Sequence, residues 1–431
     1  MARVGVSLKT RWEQSPRWFW AVLALLFVGI LWSSPFGAPI FSGSLWTQYH
    51  QDFPAPYTAA HLVAIGSGHQ LYDLPTIARD EAQFVGHPVG DSGALAYFNP
   101  PFFALLLAPL SLLSIDRAFQ VWTGLNIALV VVDVWMLWRA SSPLSRVTRI
   151  VLTVGFLTLY PLIYGLLIGQ FSMILVTSWM GAFLLLRGGH ERWAGVALAA
   201  LLIKPELLVP VALFLALKRR RRVFMTLAPI TLAAIAISIA VVGPVSALAY
   251  PGYVLGSTGW STNGVAPNVM FSWNGIIAMF WDQPSTVPLA TAGIVVMSVV
   301  TLLAVGHAWR GAFDPRADRF ALQWCVLTVG TVLVDPHLYL QDTTLLALPA
   351  ISLLATTADR NRSTVALALF GGWALLGLGI YPNERLDLNL FGVYMTAACL
   401  LLMMYASRWA RRDVAPAEGR QASLLNPTAA R

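Results

Sequence analysis

Charge is what this chain has least of. Asp, Glu, Lys and Arg make up 11% of its 431 residues, against 57% hydrophobic residues and a mean hydropathy of +0.67. About a quarter of the residues of a soluble globular protein are charged, so that class is excluded. Cysteine is nearly absent as well. Cys325 and Cys399 both lie inside apolar runs, which leaves no disulfide framework, no CxxC pair and no metal-ligand spacing. The ~10-residue alternations of membrane strands are missing, and apolar runs of ~15–22 residues stand in their place, which excludes a β-barrel. No P-loop, helix-opening GxGxxG, HExxH or nucleophile elbow occurs, so no ATP-driven or Rossmann-type chemistry is visible. Residues 1–16 are basic and lead into an apolar run without a small-residue cleavage site. They read as the flank of a retained first helix.

What is present is an all-α polytopic membrane protein. The net charge of +8 comes from short Lys and Arg clusters between apolar runs. These are topogenic charges, not a nucleic-acid surface. Candidate spans are 17–34, 117–138, 149–166, 170–186, 193–203, 206–217, 223–243, 286–306, 320–334, 343–357, 363–380 and 390–407. The apolar run 100–113 is opened by Asn99-Pro100-Pro101 and interrupted by Pro109, and it reads as an outer-face segment that does not cross. With about twelve spans and both termini cytoplasmic, 24 of the 28 Lys and Arg fall inside, leaving Arg79, Arg117, Lys204 and Arg385. An asymmetry of that size sets the orientation. Residues 1–412 form one transmembrane domain with long outer loops at about 35–115 and 244–285, and 413–431 a disordered cytoplasmic tail.

The polar residues gather on the outer side. Asp52 has no Lys or Arg within twenty positions and is flanked by Tyr49, Phe53 and Tyr57. A membrane-facing helix is expected over 57–67. A carboxylate so placed suits a general base, because partial desolvation raises its pKa; a solvated loop aspartate is the alternative. Lys204 lies at the tip of the 193–217 hairpin, which is too short for two full crossings at 1.5 Å per residue. A lysine there needs an anion. A phosphate and the neighbouring Glu206 are both candidates, and snorkelling to the surface is a third reading. The tip from Asp335 to Asp342, with His337, Tyr339 and Gln341, is dense in donors and acceptors. It reads as a turn with chemistry or as an interface cap. Gln170, Asn99, Asn274 and Trp273 read equally as half-helix caps and as sugar contacts.

In order and spacing these pieces resemble glycosyltransferase family 87. They are Asp52-Phe53 with Tyr57 and Ala59, Gly66, Leu71-Tyr72-Asp73, Tyr97-Phe98-Asn99-Pro100-Pro101 with Pro109-Leu110, Gly169-Gln170, Lys204-Pro205-Glu206, and Pro336 to Asp342. The family's usual Lys-Pro-Gln reads Lys-Pro-Glu here, and its closing Tyr-Asp pair is replaced by Leu340-Gln341 before Asp342. The resemblance implies a GT-C membrane enzyme with outer-face juxtamembrane helices, similar to bacterial α-1,2-mannosyltransferases. The expected reaction is inverting transfer of a sugar, mannose above all, from a polyprenyl phosphate to a hydroxyl of a lipid or glycan. Asp52 would be the catalytic base and Lys204 the donor-phosphate ligand, with Tyr57, Asn99, Gln170, Asn274, His337, Tyr339 and Asp342 contacting substrate. No metal or other cofactor is expected, nor a nucleic-acid partner. The partners would be the lipid-linked donor, the acceptor and membrane lipids. A monomer in a bacterial inner membrane is implied, with the active site on the periplasmic side. The competing class is a twelve-span transporter or lipid flippase, which would show repeat symmetry and charged residues deep in several spans. Neither is visible in the sequence.

The charge asymmetry makes a direct prediction. A cysteine introduced within 250–265 labels from outside intact cells, and one within 218–222 does not. Equal labelling at the two places would overturn the orientation.

Overall fold

The computed structural model describes residues 52–88, 94–257, 270–278, 287–357, 359–378 and 390–412, and among them every regular element is helical. The expected first span at 17–34 and the expected tail at 413–431 lie outside the described residues. Proline sets several helix starts, since its fixed φ suits the first turn and its missing N–H is not needed there. Pro54 opens α1 (Pro54–Ala64), three residues ahead of the helix expected over 57–67. Asp73 caps α2 (Leu74–Val85) by accepting from the Thr76 N–H at 3.2 Å, and Gly86 ends it at φ +87°. Next, α3 (Pro101–Leu107) passes into a 3₁₀ turn over Ala108–Leu112. Twelve residues of helix cannot cross ~30 Å of hydrocarbon, in keeping with a segment that does not span.

The central part of the chain forms α4 (Ile115–Ala140), α5 (Arg146–Leu157), α6 (Tyr160–Ile168), α7 (Ser172–Arg187), α8 (Glu191–Ala199) and α9 (Pro205–Leu217). It continues through α10 (Arg221–Val242), α11 (Pro244–Ser257) and α12 (Trp273–Ala278). The remainder supplies α13 (Val287–Ala308), α14 (Asp318–Val334), α15 (Ala347–Thr356), α16 (Asp359–Leu378) and α17 (Leu390–Arg412).

Among the described residues four helical stretches are long and apolar enough to cross a membrane: Ile115–Ala140, Arg146–Ile168, Arg221–Val242 and Pro288–Ala308. The expected twelve crossings are not confirmed. The physical reason is local: Lys204-Pro205 divides α8 from α9, and a 3₁₀ turn over Leu340–Leu346 precedes α15. These breaks leave helices shorter than the hydrocarbon is thick. Broken backbone of this kind is tolerated at membrane depth only where protein or a cavity surrounds it.

The core is centred on α14, where every side chain from Phe320 to Leu333 is buried. A helix that is apolar on all sides belongs inside the protein. Phe320 stacks on Phe183 at 5.8 Å with the rings 2° from parallel. The Trp179 indole donates to Thr328 Oγ1 at 2.8 Å, and the Trp309 indole to the Gln323 carbonyl at 2.7 Å. Gly195 lets α8 lie directly on α10 at Val223 and Thr226, where a Cβ would collide. Such small-residue contacts are how helices approach in lipid. By contrast α10 and α13 expose Leu232, Ile235, Val296 and Leu303. In water that would be an aggregation surface; against lipid tails it is the natural outer face. One carboxylate lies deep in a crossing helix. Asp133 of α4 is fully buried and accepts from Thr177 Oγ1 at 2.7 Å, while its other oxygen has no partner.

Candidate active site

Two half-sites meet where α6, α7 and the 335–342 tip come together. The first holds Asp52. Its carboxylate accepts a hydrogen bond from Gln170 Nε2 at 2.7 Å, and its backbone N–H donates to the Ile168 carbonyl at 3.2 Å. Between those two residues Gly169 takes φ +80°, and a Cβ there would lie 2.7 Å from the Phe53 Cβ. Only glycine combines that backbone angle with so close an approach. The Trp122 indole donates to the Gly169 carbonyl at 2.8 Å, and the Phe53 ring packs on Phe119 and Trp122 at 5.3 and 6.4 Å. The Gly169-Gln170 turn is therefore built around Asp52-Phe53. Burial pushes the Asp52 carboxyl above its ordinary pKa, and the Gln170 hydrogen bond partly offsets that rise.

The second half-site is centred on Lys204. Its ammonium makes contacts of 2.6 Å to Asp342 Oδ2, 3.2 Å to Asp335 Oδ2 and 2.9 Å to the His337 carbonyl. Two of these are hydrogen bonds, to Asp342 and to the His337 carbonyl, and the Asp335 contact is an ion pair. The anion that a buried lysine requires is thus supplied by the chain itself, from Asp335 and Asp342, and no ion pair joins Lys204 to Glu206. Asp335 also receives the His337 N–H at 2.7 Å, and Asn274 Nδ2 donates to the Pro336 carbonyl at 2.8 Å. The Phe271 N–H holds the Leu338 carbonyl at 2.8 Å. The tip is pinned from three sides.

One short segment joins the halves. Ser172, two residues after Gln170, donates to Asp342 Oδ1 at 3.0 Å. Gly165 of α6 brings its backbone against Gln341, and the Gln170 N–H closes the turn onto the Gly165 carbonyl at 2.9 Å. Residues 165–172 thus carry Gln170 to Asp52 and Ser172 to the Lys204 cluster.

The expected site residues divide accordingly. Asp52 and Gln170 are in direct contact, and Lys204, His337, Tyr339 and Asp342 belong to the second half-site. Tyr339 is half-buried, and its carbonyl receives the Asp342 N–H at 3.1 Å. Asn99 joins the segment before Lys204 through Nδ2 to the Ile203 carbonyl at 3.1 Å, with Tyr72 Oη on its own carbonyl at 3.1 Å. Asn274 is a backbone clamp. The Tyr57 hydroxyl donates to the Leu113 carbonyl at 2.7 Å, so it fastens α1 to the turn after α3. The His337 ring stacks on Phe98 at 5.9 Å. Burial and the Lys204 charge push its pKa down to about 4, which makes it neutral at physiological pH. Sequence reasoning missed Ser172, because a serine in a first helical turn reads as a cap. Among the described residues no three His, Cys, Asp or Glu side chains are grouped to hold a metal ion.

The model of glycosyltransferase family 87 matches residues 97–336, more than half of the chain. The chain belongs to glycosyltransferase family 87. It is a membrane protein and a glycosyltransferase. The matched stretch runs from Tyr97 to Pro336, so it contains Gln170 and Lys204, while Asp52 precedes it and Asp342 follows it. Both outlying carboxylates are bonded directly to residues within it. No curated protein and no solved structure matches the chain.

The Lys204 cluster has a testable energetic consequence. Lys204→Met leaves two aspartates buried without their cation, and breaking such a pair costs ~3–5 kcal/mol. The thermal unfolding midpoint in detergent falls accordingly, and adding Asp335→Asn restores part of the loss. A midpoint equal to wild type in Lys204→Met would show that the cluster contributes nothing to stability. Gln170 carries a second prediction, on pH. Its amide favours the ionised carboxylate, so Gln170→Leu raises the Asp52 pKa further. A base must be deprotonated to act, so the acidic limb of the kcat/KM profile moves to higher pH. An unmoved limb would separate Gln170 from Asp52 in function.

Proposed function

We propose that this glycosyltransferase moves a sugar, mannose above all, from a polyprenyl phosphate to a hydroxyl of a lipid or glycan acceptor, with inversion at the anomeric carbon. The reaction takes place on the outer face of a bacterial inner membrane, with both termini cytoplasmic. The observation that carries this reading is Asp52: a carboxylate raised in pKa by burial, oriented by one amide, and held against the turn at Gly169, a position that admits only glycine. That is the arrangement a general base needs.

In the proposed step Asp52 takes the proton from the acceptor hydroxyl as that oxygen attacks the anomeric carbon. The new C–O bond forms on the face opposite the phosphate, the bond from the anomeric carbon to the phosphate oxygen breaks, and prenyl phosphate leaves. Asp52 then returns its proton to solvent. The leaving group is a phosphate monoester that departs already charged. Lys204 acts in this scheme as a positioning residue. It fixes the 335–342 tip, and with it Ser172 and the segment that carries Gln170, while the neutral His337 closes the same wall.

Asp52→Asn keeps the shape and removes the proton acceptor. Loss of a general base costs ~10²–10⁴ in rate, so turnover of a prenyl-phospho-mannose donor falls within that range while donor binding and the unfolding midpoint are retained. Asp52→Glu is impaired as well, because a shift of ~1 Å can cost ~100-fold. Wild-type turnover by Asp52→Asn would move the base elsewhere in the protein.

A further inference from the structure

Glu206 has no role in the scheme above, and its surroundings give it one. It stands in the first turn of α9, half-buried, two residues after Lys204. Its charge is within electrostatic reach of Asp335, Asp342 and Tyr250. Three carboxylates therefore share one ammonium, and that ammonium gives its contacts to Asp335, Asp342 and a carbonyl. Glu206 is the carboxylate left over.

The wall beside it is aromatic. Asn99 Nδ2 is bonded to the Ile203 carbonyl, which places Phe98-Asn99 directly on the segment that leads into Glu206. Tyr250 Oη donates to the Phe98 carbonyl at 2.9 Å. The half-buried Phe98 ring packs with His337 at 5.9 Å and with Tyr253 at 5.7 Å. Tyr72 packs behind them, 4.9 Å from Tyr253 and 5.6 Å from Tyr250. The buried hydroxyl of Tyr253 in this wall has no hydrogen-bond partner in the protein. Buried polar groups are normally bonded, so such an orphan asks for a ligand or water.

A partly exposed carboxylate beside an aromatic face and an orphan hydroxyl selects a particular chemistry. A phosphate would bring a further negative charge to a place that already has an excess. A neutral polyhydroxylated ring brings donors for the carboxylate, an acceptor for the hydroxyl and a C–H face for the aromatic ring. We propose that Glu206 and Phe98 form a pyranose subsite, in which Glu206 accepts hydrogen bonds from ring hydroxyls and Phe98 takes the ring's apolar face. The proposal rests on the transferase reading for its setting, and the ring is that of the donor or that of a glycan acceptor.

The test uses full-length protein in detergent and two independent readouts. In the first, saturation-transfer NMR with a panel of methyl pyranosides reports sugar binding without turnover. Wild type and Asp52→Asn give signal, Glu206→Leu and Phe98→Leu lose most of it, and Glu206→Gln retains a part. In the second, kinetics with a prenyl-phospho-sugar and acceptor show the KM for one substrate rising about ten- to hundredfold in Glu206→Leu, the range for a hydrogen bond to a charged group. The substrate whose KM moves is the one whose ring occupies the subsite. Unfolding midpoints accompany each variant, and Glu206→Gln serves where Glu206→Leu fails to fold. Equal sugar signal in wild type and both Glu206 variants, or no signal from wild type with any pyranoside, overturns the subsite. Sugar binding that depends on Glu206 in a protein that transfers nothing from any prenyl-phospho-sugar overturns the transferase reading and leaves the subsite standing.

Discussion

The ammonium of Lys204 is the contact on which the rest of this site depends. It lies at the break between two short helices and binds Asp335 and Asp342, at opposite ends of a tip eight residues long. Neither end could be buried alone. An unpaired carboxylate in a low-dielectric interior costs several kcal/mol, and a lone ammonium costs as much. Because Asp342 also receives Ser172, the same cluster fixes the start of α7. Through the turn just before that helix, it fixes the amide that orients Asp52. The charge cluster and the candidate base are thus parts of one construction, joined through residues 165–172.

That construction bears on the surroundings of Asp52, the proposed base, which among the described residues has no cation bonded to it. A lysine near Asp52 would hold its carboxyl ionised at low pKa and make it a poor proton acceptor. The one lysine in the neighbourhood is neutralised by two aspartates before its field reaches further. Asp52 is left to burial, which raises its pKa, and to a neutral amide, which orients it at little cost in basicity. The absence of Lys and Arg around Asp52 in the sequence and the acidic pair around Lys204 in the fold serve the same end.

Much of this was legible beforehand, for identifiable reasons. Helix starts at Pro54, Pro101 and Pro205 and the stops at Gly86 and Gly169 follow from local backbone chemistry, which a sequence displays directly. Asp52, Gln170, Lys204 and Asp342 stood out because polar residues are scarce in an apolar chain. What the sequence could not display was pairing. Lys204 stands two residues from Glu206 and more than a hundred from its actual partners, so proximity in sequence pointed to the wrong carboxylate. Twelve crossings are not confirmed among the described residues for a related reason. Hydropathy registers apolar composition, whereas the fold interrupts apolar runs, as at Lys204-Pro205, and buries the pieces in protein, as with α14. Asp133 was passed over because a single Asp in a long apolar run barely changes its mean hydropathy, although burying it is costly in the folded helix.

The departure of Glu206 from a neutral amide has a consequence for how the two half-sites divide their work. Adding a carboxylate to a cluster that already holds two against one ammonium destabilises the empty protein, since like charges at short range in low dielectric repel. Hydrogen-bond donors brought by a ligand would stabilise such a carboxylate. Hydroxyl donors do so without disturbing the Lys204 contacts; an anion does not. In the proposed subsite the acidic half-site then favours a neutral ring over an anion. Recognition and proton transfer fall, in the proposed scheme, to the two half-sites joined by residues 165–172, with the ammonium of Lys204 confined to the side away from Asp52.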